Sequence, residues 1–178
     1  MIDLTERERR ELDAIASRWE ELRRFVNTVR LGDADGLDDW FKNLERMKAI
    51  QGNTSNDLSF VACLLAKRFL LSRHRLSAFD VAAKPQGAPG LDIDLQSEDG
   101  QRIVAEIKTT VPYSGARHDL GAQQKASFRK DFVKLNLAVA EYKYFFVTDA
   151  HTLEIVNRKY AEEIPGVAVV CLKPGFPE

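Results

Sequence analysis

The chain is poor in the residues on which disulfide scaffolds and zinc sites are built. It has two cysteines and three histidines in 178 residues. Cys63 and Cys171 lie far apart, each inside an apolar stretch, and read as buried thiols rather than a bridge. No zinc-ligand spacing exists. No apolar run approaches the ~18–20 residues that cross a bilayer, so no membrane role is expected. The start, Met1-Ile2-Asp3-Leu4-Thr5-Glu6-Arg7, is too charged for a secretion signal. With unbridged cysteines it predicts a cytoplasmic protein. There is no P-loop, no dinucleotide fingerprint, no internal repeat and no low-complexity segment. An excess of one charge is also missing: 26 Lys+Arg face 27 Asp+Glu, a net of -1. Most nucleic-acid binders carry a basic excess. Here the average hides a split. Residues 1–57 net -3, while 58–112 and 113–178 net +1 each. Between 113 and 134 five basic residues (Arg117, Lys125, Arg129, Lys130, Lys134) face two acidic ones.

What is present is an ordinary globular composition, 44% apolar and 30% charged, at a length that suits one domain with an added subdomain. From Thr5 to Leu31 the apolar residues Leu12, Ile15, Trp19, Leu22, Val26 and Val29 recur at steps of 3 and 4, one stripe on a helix. Thr5 and Glu8 form a capping box. Gly32 to Gly36 breaks the helix, and Leu37, Trp40, Phe41, Leu44 and Met47 share one face of a second. Residues 1–52 thus read as a helical hairpin, for dimerisation or recognition, ahead of a core at 53–178. An apolar helix runs from Leu58 to about Arg73, capped by Asn56 or Asp57. A short strand is expected over Leu76–Val81, then a loop to Gly90. Helices are expected around Phe128–Val139 and Thr152–Glu163, and strands at Tyr142–Thr148 and Gly166–Leu172, the last central or parallel. The fold class is α/β (α+β layered), a mixed central sheet flanked by helices.

The chemistry concentrates in one hairpin. Leu91-Asp92-Ile93-Asp94-Leu95 alternates strictly, Asp99-Gly100 marks a turn, and Ile103 to Thr109 returns as a strand. Ile103, Ala105 and Ile107 share one face, Glu106 and Lys108 the other. A two-residue turn makes paired positions sum to about 199 and sets Asp92 beside Ile107, with Asp94 nearer the turn; a bulge would shift this by one. Two carboxylates on paired strands are hard oxygen ligands suited to Mg²⁺, with Mn²⁺ as a substitute. A neighbouring Lys can orient a water or neutralise charge developing on a phosphate. The alternative is a surface hairpin with solvated charges. Against it, charge on an otherwise apolar strand is costly unless paired or metal-bound.

Gly90-Leu91-Asp92-Ile93-Asp94-Leu95, Asp99-Gly100 and Val104-Ala105-Glu106-Ile107-Lys108-Thr109-Thr110 together resemble the active-site hairpin of the PD-(D/E)xK nuclease superfamily, whose best-known members are type II restriction endonucleases. The order helix, three strands, helix, strand from about Asp57 to Thr148 is similar too. Leu91 stands where the motif's proline would be. The resemblance implies a Mg²⁺-dependent endonuclease acting on double-stranded DNA, working as a homodimer and leaving 5′-phosphates. It implies Asp92 and Glu106 as metal ligands, the Ile107 carbonyl as a third, Lys108 as catalytic lysine, and Asp94 as a competitor of Asp92. In such enzymes the following helix borders the cleft, which makes Gln124 a candidate catalytic residue. Lys125 and Lys130, with Arg117 and His118 from the preceding loop, become candidate nucleic-acid contacts. A solvated amphipathic helix is the alternative for each. With Phe128 at the centre of the buried face, Gln123, Ser127, Lys130 and Lys134 are expected on the exposed side. Repair, junction or RNA cleavage, and a catalytically silent binding subunit, are the other functions such a fold allows.

Overall fold

The computed structural model describes residues 2–29, 36–85, 87–112 and 119–173. It is an α+β fold: a four-stranded mixed sheet flanked by helices. Helix α1 (Glu6–Thr28) begins at the expected capping box. The Thr5 hydroxyl accepts from Glu8 N, and the Glu8 carboxylate accepts from Thr5 N at 2.8 Å. Helix α2 (Leu37–Gln51) returns along α1, and Arg46 meets Glu21 at 2.6 Å. Its burial differs from the expected single face. Trp40, Met47 and Ile50 turn inward, while Leu37, Phe41 and Leu44 are exposed. The apolar arc of α2 is wider than α1 alone can cover.

Helix α3 (Thr54–Arg73) is capped by Asn53, whose side chain accepts from Asn56 N, not by Asn56 or Asp57. Asp57 instead pairs with Arg18 of α1 at 2.6 Å. The segment expected as a strand over Leu76–Val81 forms none. Its backbone donors go elsewhere: Val81 N to the Glu8 carboxylate, Ala82 N to the Asp80 side chain and Ala83 N to the Asp80 carbonyl. A ladder needs those groups free.

The sheet runs β1 (Ile93–Gln96), β2 (Arg102–Lys108), β3 (Tyr142–Val147), β4 (Ala168–Cys171), in that spatial order. β1 is antiparallel to β2, and the rest are parallel. The last strand is therefore parallel, as its apolar run predicts, but lies at the edge. The hairpin register is shifted by one from the expectation: Ile93 opposes Ala105 and Asp94 opposes Val104. Ser97 N bonds to the Gln101 carbonyl, which leaves a three-residue loop. Gly100 takes φ 80°, a left-handed conformation that closes such loops and that β-branched residues avoid.

Because side chains alternate along a strand, β2 divides the core. Ile103 and Ala105 pack with Ala62, Ala66 and Leu70 of α3 and with Phe146. Val104 packs on the other side with Phe128, Phe132 and Leu135 of α4 (Ala122–Leu137) and with Phe145. The rings of Phe128 and Phe132 meet Phe145 edge-on, with centroids 5.5 and 5.0 Å away. Helix α5 (Ala150–Lys159), capped by Asp149, closes this layer and ends in a short 3-10 turn over Ala161–Glu163, where one longer helix was expected. Among the described residues no helix is long and apolar enough to cross a membrane. Cys63 and Cys171 are free and half-buried.

Candidate functional site

Alternation places Glu106 and Lys108 on the α4 side of β2, at the end of the strand away from the hairpin turn. Asp92 stands in the bend just before β1, and its Oδ2 accepts from Ile107 N at 2.8 Å. That bond ties the aspartate to the amide of the residue between Glu106 and Lys108. The three residues singled out by the motif are therefore neighbours. Asp94 is not among them. It faces the turn half of the hairpin and is gripped by Arg102 at 2.9 and 2.8 Å. Its carboxyl is held below the usual range, first by that hydrogen bond.

Helix α4 completes the cluster. Gln123, Ser127 and Lys130 are exposed, as expected, but Lys134 is half-buried against β2. Ser127, Asp131 and Lys134 recur at steps of 4 and 3, and so form a stripe beside the buried Phe128, Phe132 and Leu135. Lys108 Nζ lies 2.9 Å from Ser127 Oγ and 2.5 Å from Asp131 Oδ2. Lys134 Nζ lies 2.9 Å from Glu106 Oε1 and 2.9 Å from Asp131 Oδ1. Asp131 thus holds both lysines from a position only 5% exposed.

Charge is expensive here. The Glu106 side chain is 2% exposed. Burial and the Asp92 charge push its carboxyl up to about 8, against the pull of Lys134. Lys134 holds its proton more tightly than a free lysine. Burial opposes its charge, but its hydrogen bonds to Asp131 and Glu106 outweigh that cost. On the α3 side, a cleft of about 370 Å³ lies between α1, α3, the 81–88 loop and the hairpin, and Asp92 and Ile107 line it together with Phe60, Cys63 and Lys84. The Cys63 thiol is pushed up to about 12 by burial, then by Asp92, so it is not a nucleophile.

The remaining candidates scatter. Gln124 is spent on local structure. Its Oε1 accepts from Gly121 N at 2.9 Å and its Nε2 donates to the Val111 carbonyl at 3.0 Å, fixing the start of α4 to the chain after β2. Lys125 turns to Asp119 at 3.1 Å, beside Lys159 at 2.7 Å. These two, with Leu120 N, hold the Asp119 carboxyl well below the usual range. Lys130 is exposed on α4. Arg117 and His118 lie outside the described residues.

Among the described residues no three His, Cys, Asp or Glu side chains converge on one metal position. Mg²⁺ does not require three. It keeps several waters and is commonly held by one or two carboxylates. The Asp92 and Glu106 carboxylates with the Ile107 carbonyl form an all-oxygen donor set of that kind, and the residues fit the ion on this chemistry. No protein-family model matches the chain, and no curated protein or solved structure matches it.

Proposed function

We propose that the protein is a Mg²⁺-dependent endonuclease of the PD-(D/E)xK type that hydrolyses phosphodiester bonds in duplex DNA. One observation carries this reading: the Asp92 carboxylate accepts from the amide N–H of Ile107, the residue between Glu106 and Lys108, so two acids and a lysine sit at one strand end. The order helix, hairpin, helix, strand around them adds support.

Asp92, Glu106 and the Ile107 carbonyl would hold the ion. When bound, it polarises the phosphate and lowers the pKa of a coordinated water. Lys108 does what the chain itself must do. Its ammonium, aimed by Ser127 and Asp131, orients the attacking water and balances charge building on the phosphate oxygens. Attack on phosphorus with departure of the 3′-oxygen leaves a 5′-phosphate.

Cutting both strands requires two copies. The exposed apolar face of α2 suits that role. Leu37, Phe41 and Leu44 form a stripe, with Asp38 and Asp39 at the helix start and Lys48 near its end. Two such helices laid antiparallel set acid against base at both ends.

Purified protein incubated with plasmid and linear duplex DNA plus Mg²⁺ tests the reading. Cleavage is expected, with loss of at least about 100-fold in Glu106→Ala and Lys108→Ala. Cleavage that survives either substitution refutes it.

A further inference from the structure

Among the described residues Lys134 is the one lysine on the Glu106 carboxylate, and the catalytic motif gives it no task. Glu106 is almost fully buried, and once it ionises its carboxylate needs a counter-charge. Lys134 supplies one at 2.9 Å from Oε1. Its side chain is 30% exposed, so its ammonium has a route away from the carboxylate. A divalent ion on Glu106 and an ammonium at that distance repel each other. Lys108 is held separately by Ser127 and Asp131 Oδ2 and does not compete for Glu106.

We propose that Lys134 is a built-in placeholder cation, which occupies the Glu106 carboxylate until a divalent ion displaces it. The inference rests on the reading of Asp92 and Glu106 as an ion-binding pair. Asp131 makes the exchange workable. Its Oδ1 also holds Lys134, at 2.9 Å, so the displaced ammonium keeps a carboxylate partner and swings about it instead of being lost to solvent. Once released, it adds a second positive charge beside Lys108. Lys134 is in this sense a positioning residue: it keeps the ion site intact and then yields it.

The test needs no DNA. Mn²⁺ binding is measured by calorimetry at about pH 9, where protons compete least for a carboxyl raised by burial. Lys134→Gln is expected to bind Mn²⁺ about ten-fold tighter than the unaltered protein, equivalent to about 1.4 kcal/mol. Lys134→Arg, which keeps the charge, is expected to stay near the unaltered affinity. A second measurement uses the unaltered protein and is immune to folding defects. Acylation of lysines by an amine-reactive ester is followed by mass spectrometry. Mg²⁺ is expected to speed modification of Lys134 several-fold and to leave Lys159, paired with Asp119 away from the site, unchanged.

Equal or weaker Mn²⁺ binding in a folded Lys134→Gln overturns the placeholder role. So does a Lys134 acylation rate indifferent to saturating Mg²⁺ while calorimetry records binding. If Lys134→Gln does not fold, the acylation result decides alone. Failure of the underlying reading looks different: the unaltered protein then binds no more Mn²⁺ than Asp92→Asn does.

Discussion

Glu8 and Lys67 form an ion pair with both side chains 0% exposed. Lys67 Nζ lies 2.9 and 2.8 Å from the two Glu8 oxygens. The same carboxylate accepts from Thr5 N and Val81 N. One side chain therefore caps α1, neutralises α3 and anchors the loop that failed to become a strand. Lys67→Met keeps the volume but strands a buried negative charge. Breaking a buried pair from one side costs about 3–5 kcal/mol, a fifth or more of a typical stability of about 5–15 kcal/mol. Glu8→Gln with Lys67→Met removes both charges and keeps one oxygen to accept a backbone N–H. It leaves one N–H unpaired at about 1–3 kcal/mol. The double variant should thus be more stable than Lys67→Met alone, a coupling of about 2 kcal/mol or more by the double-mutant cycle. Urea unfolding of the four proteins measures it. A Lys67→Met cost under about 1 kcal/mol, or a double variant less stable than that single one, refutes the claim that charge compensation is what this pair supplies.

Glu106 gives the protein's stability a pH signature. Its carboxyl keeps its proton to about 8 when folded, against an ordinary value of 4.5. Between those values the folded state binds more protons than the unfolded one. Stability therefore falls as pH rises, by up to about 1.4 kcal/mol per unit. Glu106→Gln should flatten that slope, read as urea midpoints at two pH values inside the window; an unchanged slope counts against the burial argument. Phe41→Glu, on the exposed α2 stripe, should convert a dimer to a monomer in light scattering with little change in melting temperature. If the unaltered protein is already monomeric at high concentration, this face is not the subunit contact. Thr5→Ala removes the acceptor for Glu8 N and should cost about 1 kcal/mol in the same unfolding assay.

The helices and the hairpin were legible because their signals are local. Spacing of 3 and 4, a Thr–Glu capping box and an Asp-Gly turn each act over a few residues. The errors arose where distant groups intervened. Leu76–Val81 has the composition of a strand, but a carboxylate some seventy positions earlier takes the N–H of Val81. The hairpin register slipped by one because Ser97 pairs with Gln101. A three-residue loop with a left-handed glycine and a two-residue turn look alike when only Asp99-Gly100 is read. Asn53 displaced two later candidates as the α3 cap, in a run where five consecutive residues, 53–57, can all cap.

The site was half legible, and the missing half follows from how amphipathic faces are read. The proximity of Asp92, Glu106 and Lys108 is legible because a two-residue period puts like with like on paired strands. Asp131 and Lys134 are harder to read, because a helix face bearing charge is ordinarily assigned to solvent, as Lys134 is from sequence. Yet Ser127, Asp131 and Lys134 keep the same 4 and 3 steps as the residues beside them, displaced by one position from Phe128, Phe132 and Leu135. Such a stripe lies at the margin of the buried face. It is solvated only if the facing element is apolar there. Glu106 and Lys108 make β2 charged at that point, and two charged margins that meet must pair. The presence of charge on an internal strand was itself the signal that the helix packed against it must answer in kind. Asp131, one of two acidic residues in the basic stretch 113–134, is the residue that answers, because a single buried carboxylate is what allows Lys108 and Lys134 to stand in the same site.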